Sequence, residues 1–298
     1  MKATSRPRTL IIGGDATVGR ELKRYLLAAG HDVIATTRRR DHKCPTTFFL
    51  NMAEDLSEIE LPRANTAVIC AAITRFSDCR NFPELARRVN VEAPISLSKK
   101  LVARGTRVLL LSTAAVFDCL SPNAKGNDRR APRSVYGRLK AEAEESMLDL
   151  GHSATVLRLT KVLLADQGVL ARWIDDLRDG QTIRAFTDHR LSPITLDDTL
   201  KAIGAITEHT DGGVYQLSGG TDISFEEAAR HLAARVGTSQ QKVIGVKAAD
   251  NGVPSDEITP YTSLDTDRLN TLIGYNPPHP RTVIDNVFAA TFAKARTQ

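Results

Sequence analysis

Aromatic residues are scarce in this chain, 5% of 298 residues with a single tryptophan. Nucleic-acid binding draws on a contiguous basic stripe with interleaved aromatics. Here 40 Lys and Arg stand against 35 Asp and Glu, and the surplus of +5 is scattered. No nucleic-acid partner is expected, although mild basicity suits an anionic ligand. Cysteines are few as well. Cys44, Cys70, Cys79 and Cys119 form no CxxC pair and no Cys/His zinc spacing. No metal site is expected, and a reducing cytoplasm is the simplest setting. No apolar run approaches about 18 residues, which excludes a transmembrane helix. The basic start, residues 1–8, lacks the apolar stretch of a secretory signal. What remains, 42% apolar and 25% charged, is the composition of a globular enzyme. The length suits one large domain or two fused units.

Short apolar runs alternate with helix-period segments. Residues 9–12, 32–36, 67–71, 107–112 and 154–159 read as strands. Residues 20–29, 83–90 running on to 102, and 134–149 read as helices. This alternation predicts an α/β fold, a Rossmann-like doubly wound parallel sheet. After Lys161 the pattern loosens and Gly and Pro punctuate it more often. The expected organisation is a dinucleotide-binding domain over 1–163, to which 191–220 returns. Residues 164–190 and 221–298 then make a smaller C-terminal substrate-binding lobe.

Gly13-Gly14-Asp15-Ala16-Thr17-Val18-Gly19 lies between the first strand and the first helix. A dinucleotide pyrophosphate would rest there, on a helix N-terminus. Ala16 replaces the middle glycine of a GxxGxxG spacing, and its methyl crowds that position. Asp15 is a poor neighbour for phosphate unless its carboxylate points away. The second strand ends in Thr36-Thr37-Arg38-Arg39-Arg40, with no acid. A cofactor without a 2′-phosphate usually meets an acid there, whereas guanidinium forks match a phosphate. NADP(H) is therefore expected, with NAD(H) the alternative.

Tyr136 and Lys140 are four residues apart, one helical turn on one face. An ammonium beside a phenol favours the phenolate and is expected to lower the tyrosine's pKa toward working pH. Such a tyrosine can exchange a proton with a carbinol oxygen. Thr113 ends an apolar strand, where ligands bind in sheets of this kind, and its hydroxyl can bond the same oxygen.

With these motifs, the chain resembles the extended short-chain dehydrogenase/reductase superfamily, most closely its dTDP-4-dehydrorhamnose reductase branch. Residues 110–118 resemble a Ser-Thr-x-x-Val-Phe-Asp segment. Residues 135–140 with Glu142 or Glu144 resemble a YGxxKxxxE helix, and residues 89–94 resemble an Asn-Val helix. Residues 188–198 resemble an Asp-x-x-x-Ser-Pro stretch ending in Asp-Asp, and 213–219 and 263–266 resemble later segments. The resemblance implies Tyr136 as general acid toward a C4 carbonyl and Lys140 as holder of the cofactor ribose. It implies Thr113 as a bond to the reacting oxygen and Asn90 as a brace. It places Gly13, Ala16, Thr17 and Val18 along the pyrophosphate, Ala71, Ala72 and Ile73 against the cofactor, and Asn51 and Met52 near adenine. Arg38 and Arg39 face the 2′-phosphate. Thr74, Arg75, Phe76 and Arg190 are candidate substrate contacts. Arg190 has a competing reading, a structural ion pair with Asp188 or Asp198. Ala114 and Ala115 stand where dehydratase relatives carry acids, which argues against a dehydratase.

The implied activity is NADPH-dependent reduction of a nucleotide-linked 4-keto sugar. Alternatives are a non-catalytic NADP-binding regulatory subunit of a partner enzyme and a C4 epimerase with bound NAD. Pairing as a homodimer is a further implication. Trp173, with Leu170, Ile174 and Leu177, is expected in a core, and Asp197-Asp198 is expected to cap a helix.

Overall fold

A strand buried on both faces needs an unbroken apolar run. Leu10, Ile11 and Ile12 provide one, and all four residues of Thr66–Ile69 are buried. The computed structural model describes residues 7–41, 44–209 and 211–295, with side chains through 291. Most of the basic start, residues 1–6, lies outside the described residues.

In chain order the elements are β1 (Arg8–Ile12), α1 (Thr17–Ala28), β2 (Asp32–Thr37), β3 (Thr47–Phe49), β4 (Thr66–Ile69), α2 (Phe76–Asn81) and α3 (Pro83–Arg87). A π-helical turn at Arg88–Glu92 leads into α4 (Ala93–Val102), β5 (Arg107–Thr113), α5 (Val135–Leu148), β6 (Ala154–Leu159), β7 (Lys161–Leu163) and α6 (Val169–Arg178). Then come β8 (Ile183–Phe186), β9 (Arg190–Leu191), β10 (Pro193–Thr195), α7 (Leu196–His209), β11 (Gly213–Leu217), β12 (Ile223–Ser224), α8 (Phe225–Val236), β13 (Val243–Val246), α9 (Asp267–Ile273) and α10 (Pro280–Ala295).

The chain divides into two compact units. The first comprises Met1–Val116, Ser134–Arg158 and Leu200–Tyr215, and the second comprises Phe117–Arg133, Leu159–Thr199 and Gln216–Gln298. The main sheet runs β11-β6-β5-β4-β1-β2-β3. Strands β3, β2, β1, β4 and β5 pair in parallel, with Ile11 opposite Ala35 and Ile12 opposite Ile69. The order reverses between β1 and β4, so the crevice for a ligand opens at the C-terminal ends of these two strands. Leu10, Ile12, Ala67, Ile69, Val108 and Leu110 pack against Leu97 and Leu101 of α4 and Met147 of α5.

In the second unit Leu170, Trp173, Ile174 and Leu177 bury one face of α6 with Leu232 and Ile284, as their helical spacing predicts. Trp173 meets Phe225 edge-on, 6.2 Å between ring centres. Helix α8 opens on a capping box, with Glu227 N–H donating to Ser224 Oγ (3.0 Å) and Ser224 N–H to Glu227 Oε2 (2.8 Å). Asp197 and Asp198 do not cap α7 but lie in its first turn. Thr195 takes the capping role, accepting from Asp198 N–H (3.0 Å) and donating to Asp198 Oδ2 (2.7 Å).

Candidate active site

The glycine turn is shaped by close approach. A Cβ on Gly13 would lie 2.6 Å from Ala71 N, one on Gly14 2.8 Å from Thr36 O, and one on Gly19 2.1 Å from Gly13 O. Gly13 also has φ +98°, open to glycine and strained for other residues. The turn is pinned to β2 by Gly13 N–H on Thr36 Oγ1 (2.9 Å) and Gly14 N–H on Thr36 O (3.0 Å). Ala16 starts α1 and no side chain caps it. An uncapped helix start behind a turn with no room for side chains fits the pyrophosphate of a dinucleotide. Ala71, Ala72 and Ile73 continue from β4 beside this turn, and Cys70 and Ala71 N–H both donate to Ile12 O.

Asn90 holds that segment. Its Oδ1 accepts from Ile73 N–H and its Nδ2 donates to Ile73 O, both at 2.8 Å. The side chain is fully buried, and the π-helical turn around it widens the helix where it reaches across. Asn90 thus braces the 71–73 segment that follows β4.

At the end of β2 the arginine run is not uniform. Arg38 and Arg39 are exposed. Arg40 is engaged elsewhere, bonding Glu54 through Nη2 (2.8 and 2.9 Å) and lying over the Phe49 ring. Asn51 donates to Glu54 Oε1 and accepts from Ala53 N–H. Met52 is buried in the main core, so its side chain is a packing group.

Helix α5 begins at a capping serine, Ser134, whose Oγ accepts from Gly137 N–H (3.1 Å). It presents Tyr136, Lys140 and Glu144 inward at successive turns, all buried. Tyr136 is hydrogen-bonded to the Thr113 side chain, and Phe76 packs on its ring at 5.5 Å. Thr113 Oγ1 also accepts from Ala115 N–H (3.2 Å). Burial dominates both titrations. It lowers Lys140 to about 8, against the opposing pull of Glu144. It raises Tyr136 above the ordinary phenol range, with Cys79 adding to the rise and Thr113 opposing it. The expected lowering of Tyr136 is therefore corrected, because desolvation of the phenolate outweighs its neighbours. Tyr136 rests as a protonated phenol, which is the form a general acid needs.

The buried pair behind Lys140 was only half visible in the sequence. Arg158 meets both oxygens of Glu144, and Nη2 lies 2.8 Å from Oε2. Glu142, the other candidate for the helix glutamate, faces outward and pairs with Arg87. Helical spacing carries the signal, since 144 continues the 136–140 face and 142 leaves it.

Among the substrate candidates, Phe76 reaches Tyr136, whereas Thr74 and Arg75 are exposed ahead of α2. Arg190 pairs with Glu227 (3.2 Å), not with Asp188 or Asp198. A cleft of about 1270 Å³ beside Arg8, Asp32, Arg63 and Arg104 lies at the N-terminal edge of the sheet, away from these groups. Among the described residues no cluster of His, Cys, Asp and Glu could hold a metal, and no helix is long and apolar enough to cross a membrane.

The model of the RmlD substrate binding domain matches residues 7–292. The dTDP-4-dehydrorhamnose reductase of Streptomyces griseus is 31% identical over 235 residues, 74% of each chain. Methionine adenosyltransferase 2 subunit beta of Bos taurus is 30% identical over 153 residues, 51% of this chain and 46% of that one. Among solved structures, dTDP-4-dehydrorhamnose reductase of Bacillus anthracis in complex with NADP superposes with a TM-score of 0.83 at 18% identity. It covers 96% of this chain and all of that one. Because the family model spans residues 7–292, this extended short-chain dehydrogenase/reductase-like chain belongs to the family of the RmlD substrate binding domain.

Proposed function

We propose that this protein is an NADPH-dependent reductase of a nucleotide-linked 4-keto sugar. The observation that carries the reading is buried Tyr136, hydrogen-bonded to Thr113 and one turn from buried Lys140, at the ligand-binding edge of the sheet. Bound NADPH supplies the hydride for the carbonyl carbon. Tyr136 donates its proton to the oxygen as charge develops there, and Thr113 holds that oxygen in line. The Lys140 ammonium stabilises the phenolate left behind, and Tyr136 takes its proton back from solvent before the next turnover. Gly13, Ala16, Thr17, Val18 and the 71–73 segment hold the pyrophosphate side of the cofactor, and Arg38 and Arg39 attract a 2′-phosphate. The first unit binds cofactor, and the second carries the substrate lobe. Cys44, Cys70, Cys79 and Cys119 form no disulfide, which suits work in the reducing cytoplasm. A homodimer is part of the same reading.

The test is oxidation of NADPH by purified protein with dTDP-4-dehydrorhamnose and other 4-keto nucleotide sugars. Turnover with formation of the 4-hydroxy sugar supports the reading. NADPH binding without turnover of any such sugar, together with stoichiometric capture of a partner enzyme, favours a regulatory subunit. The match to the bovine subunit over half of this chain gives that second reading its footing.

A further inference from the structure

Where the glycine turn meets the end of β2, a dinucleotide places its adenosine ribose and the 2′ position that separates NADP from NAD. In this chain a carboxylate already occupies that corner. Thr37 Oγ1 donates to Asp15, 3.0 Å from Oδ2, and Arg38 N–H donates to Asp15 Oδ2 (2.9 Å). Thr37 Oγ1 in turn accepts from Arg39 N–H (3.1 Å). The backbone donors of Arg38 and Arg39 and the Thr37 hydroxyl are therefore all engaged before any phosphate arrives. Arg40 is drawn away by Glu54 and Phe49. A 2′-phosphate at this corner would meet the Asp15 carboxylate as well as the exposed Arg38 and Arg39. A ribose 2′-hydroxyl finds in that same carboxylate an acceptor of the kind that NAD-binding folds supply from the end of β2.

We infer that Asp15 is a specificity-determining residue, which replaces from the glycine turn the acid missing at the end of β2 and holds down the preference for NADPH over NADH. The inference rests on the proposed cofactor site and adds to it. Arg38 and Arg39 favour the phosphate, Asp15 opposes it, and the protein accepts both cofactors with a small difference in affinity.

The experiment compares dissociation constants for NADPH and NADH in the native protein and in Asp15→Asn, by calorimetry at low and high salt. The Asn carbonyl oxygen still accepts from Thr37 and Arg38, so the turn keeps its bonds while the charge is lost. NADPH is expected to bind about tenfold tighter in the variant, with NADH unchanged or weaker. That gain should shrink as salt screens the exposed charges. Asp15→Ser, which also removes the charge, serves if the Asn variant does not fold and should move the ratio in the same direction. A folded variant that binds both nucleotides with the native ratio overturns the inference and leaves the cofactor site standing. A native protein that binds neither nucleotide overturns both.

Discussion

Arg158 on β6 and Glu144 on α5 form a bidentate ion pair with both side chains at most 1% exposed. It ties the helix carrying Tyr136 and Lys140 to the sheet. Such a pair adds little net stability relative to an apolar pair of equal volume, but losing one partner strands a charge. Arg158→Met is therefore expected to lower unfolding free energy by about 3–5 kcal/mol. Arg158→Met combined with Glu144→Gln should recover much of that loss. Urea unfolding of the three proteins checks this. A double variant no more stable than Arg158→Met would show that the stranded Glu144 charge is not the source of the loss.

Tyr136→Phe keeps the ring against Phe76 and removes only the hydroxyl bonded to Thr113. If Tyr136 is the proton donor, turnover should fall by about 10²–10⁴-fold, the span typical of general acid catalysis. NADPH affinity should stay near native, because the contacts proposed for the cofactor lie in the glycine turn and at Lys140. Turnover that is unchanged on a confirmed 4-keto sugar removes Tyr136 from the chemistry.

Lys140 gives a pH signature with opposite signs in activity and stability. Burial sets its folded pKa at about 8, below the ordinary 10.5. Between those values the unfolded chain binds the extra proton, so this group's contribution to stability rises with pH across the window. Activity that needs the ammonium falls as pH rises through about 8, at the lower end of that window. In Lys140→Met both dependences should vanish: the stability rise between pH 8 and 10.5 flattens, and kcat/KM loses its basic limb. Thermal unfolding and initial rates across that range test the two signs independently.

Much of this arrangement is legible in the residues. Apolar runs locate β1, β4 and β5, and the 136–140 spacing marks the inward face of α5. The part that is not legible depends on partners distant in sequence. Nothing local says that Arg40 leaves the arginine run for Glu54, or that Asp15 turns toward Thr37 and Arg38. The raised Tyr136 titration has the same kind of cause. Lys140 at i+4 is visible in the sequence, whereas the desolvation that raises Tyr136 comes from the packed surroundings of α5.

Asn90 offers the most direct test of how the fold prepares the cofactor segment. Its amide satisfies both backbone groups of Ile73, and both bonds are 2.8 Å long. Asn90→Ala removes both amide bonds at once, leaving the Ile73 N–H without this acceptor and its C=O with the Cys79 thiol (3.3 Å), beside a new cavity, at an expected cost of about 2 kcal/mol. Because Ile73 continues the segment that begins against Gly13, the loss should also loosen cofactor binding, by about tenfold for both NADPH and NADH. Asn90→Asp separates the two contributions. The carboxylate still accepts from Ile73 N–H, but it faces Ile73 O without a proton to donate. It should restore neither stability nor affinity, since repulsion replaces one of the two bonds. Calorimetric affinities alongside denaturant midpoints decide the matter: a stability loss with native affinities for both cofactors would make Asn90 a purely structural brace. A parallel loss in both would show that the brace sets the geometry of the 71–73 segment on which binding depends.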